Sequence, residues 1–137
     1  MKKILIIAVT ILMVSKNVKA QTDTLTVIQN IVNNKAQYIG QPFSVLLNQL
    51  PIQIKYYFPA RPYFRSRNKE HATTFSFYFR QNPDELYKTY PRLLIYWQTY
   101  LTASMSLYNQ TNGAWTSSVV SRYSQAIISD IMVIKRP

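Results

Sequence analysis

LLIYWQTYLTASMSL, residues 93–107, decides the fold class, because every odd position except Thr99 is apolar. Leu93, Ile95, Trp97, Leu101, Ala103, Met105 and Leu107 share one side of an extended chain. From residue 96 onward the even positions are Tyr96, Gln98, Tyr100, Thr102, Ser104 and Ser106. A period of two marks a strand with one buried face. Fifteen residues exceed the usual strand length of about 3–10. A bend, bulge or break is therefore expected between Thr99 and Ala103.

Two further strands precede this one. In residues 52–58 Ile52, Ile54, Tyr56 and Phe58 alternate with Gln53, Lys55 and Tyr57, which predicts that the even positions face inward. In TTFSFYFR, residues 73–80, Phe75, Phe77 and Phe79 are expected on one face. Asn82, Pro83, Asp84 and Glu85 supply turn chemistry before Pro91. Asn112-Gly113 marks a later turn, and residues 127–135, IISDIMVIK, read as a closing strand. Asp130 within it is expected to face solvent or to pair with a cation such as Arg122.

Helical spacing appears at both ends of this strand set. Leu25, Ile28, Ile31 and Val32 recur at helical intervals, with Thr22 or Asp23 placed to cap them. Phe43, Leu46, Leu47 and Leu50 form a second stripe after Gly40 and Pro42. Residues 116–125, TSSVVSRYSQ, predict a short helix before the last strand. The order is helix, helix, three strands, short helix, strand. That order is α+β: two short helices on an antiparallel sheet of about four strands.

Residues 1–20, MKKILIIAVTILMVSKNVKA, have a basic start, an apolar run from Ile4 to Val14, and Val18-Lys19-Ala20 before Gln21. This is the layout of a cleaved secretory signal peptide. Eleven apolar residues rise only about 16 Å as a helix, against a hydrocarbon core of about 30 Å. No stable membrane span is expected after cleavage. The body, residues 21–137, is expected to be one exported domain, periplasmic or secreted. Four of the sixteen Lys and Arg lie in the leader and none of the five acids do, so twelve cations against five acids leave the body at +7.

Several chemistries are excluded by composition. The chain has no cysteine, two glycines and one histidine. These counts rule out thiolate metal sites, disulfides, Gly-rich phosphate loops and multi-histidine metal centres; neither metal nor cofactor is expected. A hydrolase would have to combine Glu70 and His71 with Asp84 or Glu85.

Residues 56–71, YYFPARPYFRSRNKEH, carry the strongest surface signal. Lys55, Arg61, Arg65, Arg67 and Lys69 are five of the body's twelve cations within fifteen residues, interleaved with rings. Pro59 and Pro62 oppose helix and central strand, so a long loop is expected. Arg61, Tyr63, Arg65, Arg67 and Lys69 are the candidate binding residues. Arginine pairs with phosphate or carboxylate and tyrosine presents a flat face to sugars. The expected partner is an anionic polysaccharide, another envelope component or a protein. Single-stranded nucleic acid fits the same residues, but only if the chain stays inside the cell. Tyr96, Tyr100 and Tyr108 suggest a second ladder of rings on the even face of residues 93–107. The competing expectations are that Tyr57 and Tyr63 cover the sheet while the cations stay solvated, and that the ladder's face packs on a helix or in a homodimer interface.

Overall fold

The computed structural model describes residues 23–62, 69–79, 90–102 and 104–135. The expected leader, Tyr63, Arg65, Arg67, Asp84 and Glu85 lie outside the described residues. Helix α1 spans Thr24–Asn33, a 3-10 turn spans Lys35–Gln37, and α2 spans Phe43–Gln49. Strands β1, Tyr56–Ala60, β2, Lys69–Ser76, and β3, Arg92–Thr102, follow. Helices α3, Ser104–Thr111, and α4, Ser117–Tyr123, precede β4, Ile128–Ile134. The sheet order is β1-β2-β3-β4 with every neighbour antiparallel. The fold is α+β.

Local chemistry places the helices. The Asp23 carboxylate accepts from the Leu25 amide and the Thr26 hydroxyl, which caps α1. Its Ile28 and Ile31 are buried. Gly40, at φ +81°, turns the chain so that its amide donates to the Ile128 carbonyl. The Phe43 amide donates to Ala126, which ties the start of α2 to the approach to β4.

The core is a cluster of rings between sheet and helices. Phe43 of α2 stacks on Phe75 of β2 at 4.9 Å. Trp97 meets Phe43 edge-on at 5.5 Å and Trp115 meets Phe75 at 5.4 Å. Tyr123 of α4 closes the cluster against Phe75 at 6.0 Å. Edge-to-face contacts of this kind add to the area buried by each ring.

Three expectations are corrected. The phase of β1 is reversed: Tyr57 is buried while Phe58 is 45% exposed. The strand begins at Tyr56, and the Tyr57 amide donates to Gly113 across its outer edge. Phe79 is 65% exposed, because β2 ends at Ser76 and alternation no longer governs the chain beyond it. The period-two run breaks after Thr102, inside the expected window, but Met105, Leu107 and Tyr108 then belong to α3, an additional helix. Asp130 is paired with a cation as expected, and that cation is Lys35 of the 3-10 turn.

Candidate functional site

The start of β2 and the end of β3 hold the surface of interest, and an irregularity in their pairing creates it. Ala72 pairs with Tyr96 while Glu70 pairs with Leu101. His71 alone therefore stands opposite the four residues Trp97–Tyr100. A bulge of this sort re-aims side chains. Thr73 and Phe75 face the core, so uninterrupted alternation would send Glu70 to the outer face with Ala72. Instead Glu70 turns inward, and its neighbours Lys69 and His71 both turn outward.

Inside, Glu70 is only 1% exposed. The Tyr123 hydroxyl, 2.9 Å and 3.0 Å from its two oxygens, donates to the carboxylate. The Thr73 hydroxyl donates to Oε1, and Trp97 Nε1 donates to Thr73 Oγ1 at 2.8 Å. Burial pushes the Tyr123 phenol well above its ordinary value, and the Glu70 charge raises it further. Burial also raises the Tyr57 phenol, against an opposing hydrogen bond with Thr111. This network links β2, β3 and α4 at the rim of the ring cluster.

Outside, the Lys69 ammonium sits 5.7 Å from the centroid of the Tyr100 ring. Tyr100 is 53% exposed and Lys69 is exposed. The His71 ring lies 5.8 Å from that of Tyr96. His71 Nδ1 is 3.1 Å from the Ala60 carbonyl oxygen. A carbonyl only accepts, so Nδ1 carries the hydrogen and donates. Arg61, exposed, follows Ala60 directly and enters the segment toward Tyr63, Arg65 and Arg67. Lys69, His71, Tyr96 and Tyr100 thus gather around one bulge, and Arg61 follows the adjoining end of β1.

The sequence-predicted sites divide accordingly. Arg61, Lys69, Tyr96 and Tyr100 come together at one end of the sheet. Tyr108 leaves the expected ladder, because it sits on α3 with its ring edge-on to Tyr57 and Phe58. Glu70 and His71 do not form an acid–base pair, since they point to opposite faces of the sheet. From the sequence, His71 is expected only in a possible hydrolase set with Glu70. Its spacing of two from Lys69 was the signal that both share one side.

Elsewhere, Leu47, Leu50, Pro51, Ile52, Gln53, Ile54 and Trp115 line a groove of about 350 Å3 with no charged wall. Among the described residues no group of three His, Cys, Asp or Glu could hold a metal ion. Among the same residues no helix is long and apolar enough to cross a membrane. No family model, curated protein or solved structure matches the chain.

Proposed function

We propose that residues 21–137 form an exported, non-catalytic binding domain, periplasmic or secreted, that holds an anionic glycan of the cell envelope at the outer end of β2 and β3. The observation that carries this reading is the Lys69 ammonium poised over the exposed Tyr100 ring. A sugar ring is apolar on its faces and, when acidic, charged at its rim. An exposed ring beside an ammonium meets both features at once. Arg61, exposed directly after β1, adds a planar, permanently charged donor at the same end of the sheet.

The chemistry of Glu70 supports binding over hydrolysis. A general acid or base must reach the bond it acts on, whereas this carboxylate is buried against Tyr123 and Thr73. The basic leader layout of residues 1–20 supports export.

Retention on immobilised dextran sulfate tests the reading. Lys69→Ala and Tyr100→Ala should each elute at lower salt than wild type, with melting temperatures changed by about 2 °C at most, because both side chains are exposed. Elution unchanged in both variants would remove the proposal.

A further inference from the structure

We propose that His71 makes this anion-binding surface pH-sensitive, so that acidification tightens its hold on a sulfated or otherwise permanently charged glycan. The inference rests on the binding surface proposed above and concerns its regulation. His71 is the only histidine in the chain, which also has no cysteine. Imidazole is the side chain whose charge changes between pH 5 and 8.

Its setting gives that change a consequence. The Nδ1 hydrogen is committed to the Ala60 carbonyl, so Nε2 is the atom that takes up a proton. The imidazole ring lies 5.8 Å from the Tyr96 ring, tilted by 57° to it. It also lies on the same side of β2 as Lys69, two residues away, and beside the chain end that carries Arg61.

The charged and titratable groups around it favour coupling to an anion. Arg61 comes from the end of β1, Lys69 from β2, and Tyr96 and Tyr100 from β3. Among the described residues β4 contributes one acid, Asp130, which pairs with Tyr96 in register and is already bonded to Lys35. Glu70 faces the other side of the sheet. An anion lying across the surface favours a further positive charge beside it. Anion binding and proton uptake are therefore reciprocal.

The test is calorimetric titration with low-molecular-weight dextran sulfate, whose sulfates keep their charge throughout, at pH 7.0 and pH 5.5 and fixed ionic strength. Wild type should bind about two- to fivefold more tightly at pH 5.5, the size of one exposed charge contact. Two buffers of different ionisation enthalpy should reveal net proton uptake on binding. His71→Gln, whose amide can still donate to Ala60, should lose both the step and the uptake. His71→Lys should bind without a step because its charge is permanent in this range. Melting curves at both pH values establish that each variant is folded. A wild type that binds equally at both pH values, or a His71→Gln protein that keeps the step, would overturn the pH proposal alone. Absence of binding at either pH would overturn the binding surface together with its regulation.

Discussion

Replacing Tyr123 with Phe removes one oxygen from the most enclosed part of the molecule and tests what holds the bulge. Tyr123 is fully buried, and its hydroxyl donates to both oxygens of Glu70. The ring packing against Phe75 and Trp97 is retained in the variant, so the loss is that of a hydrogen bond to a charged, buried acceptor. Such bonds contribute about 1.5–3 kcal/mol. For a body of this size a loss of 1 kcal/mol lowers the melting temperature by about 3–6 °C, so a fall of about 5–18 °C is expected. In urea, with a slope of about 2 kcal/mol per molar, the midpoint should drop by about 1 M at unchanged slope. Fluorescence of the core tryptophans Trp97 and Trp115 reports the transition. Tyr57→Phe is the internal control: its ring lies 5.6 Å from that of Tyr123, but its hydroxyl meets only the Thr111 hydroxyl at 3.3 Å, so about 1 kcal/mol or less is at stake. A Tyr123→Phe loss below about 0.5 kcal/mol, or one no larger than that of Tyr57→Phe, would refute the view that Glu70 is anchored from α4.

Gly113→Ala should be much more damaging than Gly40→Ala, although both glycines have positive φ. A Cβ on Gly113 would stand 2.8 Å from Tyr108 and 3.2 Å from the Tyr57 carbonyl, whereas nothing lies within 4 Å of one on Gly40; chemical denaturation should show about 1 kcal/mol for Gly40→Ala and clearly more for Gly113→Ala. Asp130→Asn should flatten the acid limb of stability. The hydrogen bond from Lys35, then that from the Ile131 amide, hold the Asp130 carboxyl below its ordinary value. Its stabilising effect is thus fully present above the unfolded value near 3.9 and is lost as pH falls through the lower folded one. The side chains are 38% and 42% exposed, so solvent screening limits the effect to about 0.5 kcal/mol. Melting temperatures of the two proteins should converge between about pH 4 and pH 2.

Much of the sheet is legible in the sequence, because burial on one face writes itself into alternate positions. Leu93, Ile95 and Trp97 show this, and all three are buried. The pattern misleads where both parities are apolar. Ile54, Tyr56, Tyr57 and Phe58 allow either phase, and the choice is made by a distant partner, Gly113, which accepts from the Tyr57 amide. Met105 and Leu107 continue a period of two by spacing alone, yet the chain closes into α3, where the Thr111 hydroxyl bonds back to the Leu107 carbonyl.

The site is legible in part for a related reason. Lys69 and Tyr100 stand out as a cation and a ring in polar surroundings. The inward turn of Glu70 does not, because it depends on three extra residues of β3 opposite His71 and on a hydroxyl from α4, fifty-three residues away. Alternation within Lys69-Glu70-His71 sets Glu70 opposite its two neighbours, but it does not say which face Glu70 takes.

The outward set formed by Arg61, Lys69, His71, Tyr96 and Tyr100 is tested most directly by two-dimensional NMR during titration with dextran sulfate. Resonances of these five residues should shift together and saturate, while those of Leu47, Ile54 and Met132 stay in place. Shifts centred on the groove beside Trp115, or none at saturating polysaccharide, would contradict the account.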